Sequence, residues 1–185
     1  MPFSRTSFHV LEMMVSSMVL LIPLLLAGAV LADTCTLPDA STETFSVTTA
    51  HKKWYQQYRY SSTVLDALGC LILTQDPGAA ANQMTLSGAF SQDPSAAVTA
   101  DVTIDGNRLH STYYGTYGEM LTAERNLVYG SADIFIEHFC MESGDEMTFI
   151  FTTSENPSDD LVNQIWEEVD ARPEIDRSKF QKVSC

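Results

Sequence analysis

Val98, Ala100, Val102 and Ile104 alternate with Thr99, Asp101 and Thr103. Period-2 alternation belongs to a strand with one buried and one wet face. The same pattern recurs along the chain. Trp54 to Tyr60 is aromatic-rich and alternating, Gly69 to Gln75 is a short apolar run, and Met84, Leu86 and Phe90 alternate with polar residues. Arg108 to Tyr114, Leu121 to Tyr129, Asp133 to Met141 and Glu146 to Thr153 complete a series of about eight short strands. Turn chemistry separates them at Asp76-Pro77-Gly78, Asp93-Pro94-Ser95, Asp105-Gly106 and Ser143-Gly144-Asp145. The pattern predicts a mainly β fold, an antiparallel meander closed as a barrel or folded as a sandwich.

The pattern changes after the last strand. Asn156 suits a helix N-cap, Pro157 the first helical position, and Asp159 and Asp160 the first turn. Leu161, Val162, Ile165, Trp166 and Val169 follow on one helical face, and Pro173 lies just past the end. One amphipathic helix is therefore expected on the outside of the sheet. Ile175, Phe180 and Val183 belong to a tail ending at Cys185.

The first residues read as a signal peptide. Arg5 gives a positive start, Met18 to Leu26 is almost wholly apolar, and Val30 and Ala32 are small enough for a cleavage site after Ala32. The competing reading is an uncleaved anchor, since Met13 to Ala32 is just long enough to span a bilayer. Pro23, Gly28 and the cysteine soon afterwards favour cleavage. The expected organisation is a signal peptide over 1–32 and one secreted, extracellular domain over 33–185, with no stable membrane insertion after cleavage. Formal net charge is −14, which argues against nucleic acid and anionic membranes as partners. Removing Arg5 and Glu12 with the leader leaves that balance unchanged. The four cysteines, Cys35, Cys70, Cys140 and Cys185, are an even number at wide spacing without a C-x-x-C. In an oxidising compartment this predicts two disulfides with three possible pairings.

A leader, about eight strands, one late helix and this cysteine layout resemble the lipocalin family, in particular its apolipoprotein D and insect bilin-binding branch. The last third carries the resemblance best: Cys140, the strand through Phe149-Ile150-Phe151, Glu155-Asn156-Pro157, the helix with Leu161 and Ile165, then Ile175-Asp176 running to Cys185. Trp54 is similar to the tryptophan of the family's G-x-W motif. Lys52 stands where that motif has glycine, Gly130-Ser131-Ala132-Asp133 occupies the T-D-Y region, and Ser154 or Glu155 replaces the arginine that packs over the tryptophan. The chain thus looks like a divergent, triabin-like member whose closed end is finished some other way. The resemblance implies an eight-stranded up-and-down barrel with the helix packed outside, and disulfides Cys35–Cys140 and Cys70–Cys185.

In such a barrel Trp54 points inward, and strict alternation sends Gln56, Tyr58 and Tyr60 with it. Leu71 and Leu73 face inward if Cys70 faces out. Met84, Leu86 and Phe90 form one inward set, and Val98, Val102 and Ile104 another. Phe135, Glu137 and Phe139 are inside if Cys140 is outside, and Met147, Phe149 and Phe151 share a face. The expected ligand-binding set is Trp54, Tyr58, Tyr60, Leu86, Phe90, Val102, Phe135, Glu137, Phe149 and Phe151, an apolar, aromatic interior with few polar groups. The competing reading, favoured for any one of these side chains taken alone, is that they simply fill the barrel. Glu137 either pairs with Arg125, receives a cationic ligand, or is solvated if the register is shifted by one.

His110 and His138 belong to no ligand-spaced cluster, so no metal or cofactor is expected. No nucleophile or phosphate-loop motif is present, and no cysteine is left over once two bridges form, so an enzyme is not expected. Two functions remain. One is a secreted protein binding or sequestering a small hydrophobic or amphipathic ligand such as a lipid, pigment or amine. The other is an interaction protein with a filled barrel whose loops inhibit a protein partner. An open apolar cavity supports the first, and a packed interior the second.

Overall fold

The protein is described from a computed structural model, which covers Cys35, Leu37 and residues 51–141 and 144–185. The signal peptide assigned to 1–32 lies outside the described residues. Eight strands follow in order: β1 (Lys52–Tyr60), β2 (Leu71–Pro77), β3 (Gln83–Phe90), β4 (Asp93–Asp105), β5 (Arg108–Gly115), β6 (Ala123–Gly130), β7 (Ile134–Cys140) and β8 (Glu146–Thr152). Each pairs antiparallel with the next, and β1 pairs with both β2 and β8, which closes the sheet into an up-and-down barrel. Closure leaves no edge for further pairing between β1 and β2 over Lys52–Tyr55. Beyond that point β1 parts from β2, and a ninth strand, β9 (Phe180–Lys182), pairs with Tyr58–Tyr60 in its place. Gly88 lies inward on β3 between Leu73 and Val98, where a Cβ would meet the Ile72 carbonyl oxygen at 1.9 Å.

The expected alternation holds along β4, where Val98, Ala100, Val102 and Ile104 are buried. It fails on β1. Gln56 pairs with Phe151 and Tyr58 with Ile150, so Gln57 is an extra residue in a bulge. Its side-chain amide donates to the Ser154 and Glu155 carbonyls at 3.1 and 3.2 Å, tying down the exit from β8. One inserted residue reverses every later side chain. Arg59 therefore enters the barrel, and Tyr58 and Tyr60, expected inside, leave it.

The helix α2 (Asp159–Asp170) begins later than the sequence suggests. Ser158, not Asn156, is its N-cap, its hydroxyl accepting from the Leu161 amide at 3.3 Å. Ile165 and Val169 are fully buried, as are the outward-facing Ile134, Ile136 and Ile150 of the wall beneath. Asp93-Pro94 opens β4 instead of forming a free turn, and the short helix α1 (Gly118–Leu121) takes the start of the segment read as the sixth strand. Both disulfides join the residues that the family layout implies, Cys35–Cys140 and Cys70–Cys185, and they use all four cysteines.

Candidate functional site: the barrel interior and its mouth

In an up-and-down barrel alternate turns share an end. The β1–β2, β3–β4, β5–β6 and β7–β8 connections therefore ring one mouth. The opposite end is closed around Trp54, whose indole N–H donates to Gln75 Oε1 at 2.9 Å. Lys52 folds its ammonium over the Trp54 ring, 5.4 Å from its centre, and donates to the Ala132 carbonyl at 2.9 Å. A cation from β1 itself thus covers the tryptophan that an arginine of the last strand covers in the family pattern.

Inside, aromatic rings run from the closed end toward the mouth. Trp54 meets Phe135 at 5.9 Å, Phe135 meets Phe151 at 6.0 Å, Phe151 meets Phe149 at 6.0 Å, and Phe149 meets Phe139 at 5.0 Å. Tilted and edge-on rings at such spacing attract one another beyond their burial. Between Trp54, Leu73, Gln75, Met84, Leu86, Phe135 and Phe151 lies a cavity of about 10 Å³. That is room for about one water.

Two buried arginines close the mouth from within. Arg59, 1% exposed, donates to the carbonyls of Leu65 and Gly69 at 2.6 Å each and to Gln56 Oε1 at 3.0 Å. These acceptors fold the β1–β2 connection, with its 3₁₀ turn Leu65–Leu68, over the barrel, and Leu65 becomes fully buried. Arg125 donates to the Leu121 carbonyl at the end of α1 and to Glu137 Oε1, the latter at 2.9 Å. Its guanidinium lies 3.7 Å from the centre of the Phe139 ring and 4.9 Å from that of Tyr113. Burial pushes the Glu137 carboxyl above the usual carboxylate range, against the pull of Arg125. Burial also raises the Tyr113 phenol and lowers Arg59.

No protein-family model and no curated protein sequence matches the chain. Solved structures do. Insecticyanin from the tobacco hornworm Manduca sexta superposes with a TM-score of 0.63 at 11% identity, over 81% of this chain and 86% of that one. A biogenic amine-binding protein gives 0.57 at 11% identity, over 80% and 85%. A bovine lipocalin allergen gives 0.52 at 9% identity, over 71% and 90%. The fold is the lipocalin fold. At these identities the likeness is one of fold.

Within this lipocalin barrel, the predicted residues Trp54, Leu86, Phe135 and Phe151 meet around the cavity. Phe90, Val102, Glu137 and Phe149 are buried on inward faces. Tyr58 and Tyr60 are corrected to the outer wall. The Tyr58 ring packs edge-on against Trp166 of α2 at 4.7 Å. Tyr60 meets Phe180 at 4.7 Å and accepts from the Asp176 amide at 2.7 Å. Glu137 pairs with Arg125, the first of the alternatives open in the sequence. Sequence reasoning missed Arg59 and Gln75 as interior groups. Gln75 follows Leu71 and Leu73 at period 2 and could have been found, whereas Arg59 is hidden by the bulge. His138 is buried on the outer face, with Nδ1 2.8 Å from Thr148 Oγ1, and His110 is exposed beside Glu124. Among the described residues no cluster of three or more His, Cys, Asp or Glu is arranged to hold a metal ion.

Proposed function

We propose that this chain is an exported lipocalin that binds and sequesters a small apolar or amphipathic molecule inside its barrel, and that it is not an enzyme. The leader over 1–32 and the use of every cysteine in a disulfide support export. The observation that carries the binding reading is the polarity of the interior. A barrel serving only as a scaffold would be as stable or more so with apolar groups inside. This one buries Arg59, Arg125, Glu137, Gln56 and Gln75 among aromatic rings. Two of these hold mouth loops by their carbonyls, an arrangement suited to opening and reclosing over a guest. Trp54, Leu86, Phe135 and Phe151 would touch the guest at the cavity, with Phe149, Phe90 and Val102 farther along the wall. One neighbour in fold is by name a biogenic amine-binding protein, which supports small-molecule binding in general.

The small residual cavity favours a second reading, a filled barrel acting on a protein partner through its loops. Native mass spectrometry of the protein purified from its source separates the two. A retained mass that leaves on denaturation is expected. A bare protein that also takes up no added ligand would favour the filled barrel.

A further inference from the structure

The proposal that follows rests on the reading of the barrel as a binding site and narrows its ligand. Gln56 is 0% exposed on the inward face of β1. Its carboxamide oxygen accepts from Arg59 Nη1 at 3.0 Å and from the Leu71 amide at 3.2 Å. Both neighbours are donors, so the oxygen must lie on that side and the NH₂ group must point the other way. That nitrogen is buried with no hydrogen-bond partner. Gln56 stands opposite Phe151 in register and one inward position beyond Trp54. Trp54 and Phe151 both line the cavity. A spare donor is therefore buried on the inward face of β1, next to two residues that line the cavity, where lacking an acceptor costs free energy that a guest could return.

The acceptors nearby are engaged. Gln75 Oε1 receives the Trp54 indole N–H, and Glu137 Oε1 receives Arg125. Glu137 is the one buried carboxylate among the described residues, whereas two arginines are buried in the barrel. Asp66 answers Arg59 only from the rim, at 3.4 Å and about a third exposed. An entering ammonium would have to share Glu137 with Arg125, the cation that already offsets its charge among the aromatic rings. The interior thus offers a donor and a positive bias within a protein of net charge −14.

We propose that the barrel takes a small apolar molecule carrying an acceptor oxygen, a ketone or a carboxylate, received by Gln56 Nε2, in preference to a cationic amine. Calorimetric titration of the disulfide-bonded protein with 2-octanone, octanoate, octylamine and 1-octene tests this at constant chain length. The ketone and the carboxylate should each bind about tenfold or more tighter than the alkene and the amine. The two arms also say whether the oxygen needs a charge. Gln56→Glu keeps the oxygen that Arg59 and Leu71 use and removes the donor. It should erase the margin of the ketone over the alkene. Gln56→Met, which adds no charge, should erase the same margin. A ketone margin that survives in both variants, or octylamine binding tightest, overturns the proposal and leaves the carrier reading standing. If none of the four compounds binds, both fall.

Discussion

Arg125 and Glu137 meet at 2.9 Å in the wall of the barrel, with side-chain exposures of 0% and 3%. The other arm of the same guanidinium holds the Leu121 carbonyl, so the pair couples the interior to the loop above the mouth. Removing one partner strands the other. Glu137→Gln should cost about 3–5 kcal/mol in urea unfolding, while Arg125→Met combined with Glu137→Leu should return to within about 1 kcal/mol of the parent. A single variant as stable as the parent would show that the pair does not hold the fold.

Glu137 also makes a pH signature. Its native carboxyl titrates above the unfolded value because burial disfavours the charge. From the ordinary value of about 4.3 upward to the raised native value, the folded state holds the proton longer, so stability falls as pH rises. Denaturant midpoints taken across that range should fall in the parent by more than in Glu137→Gln. Identical slopes would refute the assignment.

Arg59 holds the other mouth loop through the Leu65 and Gly69 carbonyls. Lysine cannot span both with one ammonium. Arg59→Lys should lose about 2–3 kcal/mol. It should also speed amide exchange over 62–70 while β4 keeps its protection. Uniformly faster exchange would place the effect in the whole barrel and not in the loop.

His138 gives a slope of the opposite sign. Burial lowers its pKa, with Glu146 and Glu174 pulling the other way. Below about pH 6.5 the unfolded chain takes up a proton that the native state resists, so acidification destabilises the protein until the lowered native value is passed. His138→Gln keeps a partner for Thr148 and does not titrate. Thermal melts between about pH 7.5 and 5.5 should drop further in the parent than in this variant.

The Cys70–Cys185 bridge closes a separation of 115 residues. Replacing both cysteines by alanine should cost up to about 4–5 kcal/mol by loop-closure entropy. The first protection lost should be that of β9 on β1.

The strands were legible because alternation is a property of each segment by itself. Val98 to Ile104 announces its face without reference to any neighbour. The bulge at Gln57 was not, because an extra residue is defined only against the partner strand. That one residue moved Tyr58 and Tyr60 out of the site and Arg59 into it. Helix α1 was missed for a related reason. Four residues carry too little periodicity to signal a helix, and the Arg125 side chain that fixes its last carbonyl is buried in the barrel at the start of the next strand. Glu137 was readable as inward, but its partner depended on the β6–β7 register, in which Arg125 stands opposite Phe139.

The chain has two tryptophans, and the barrel wall stands between them: Trp54 faces the cavity, and Trp166 packs outside against Tyr58 and Phe180. The molecule therefore carries an internal and an external chromophore. With Trp166→Phe, the remaining emission reports only on the interior, so entry of a guest changes its colour and shields it from iodide. With Trp54→Phe the remaining signal follows the helix and tail, and should stay constant through a titration that fills the barrel.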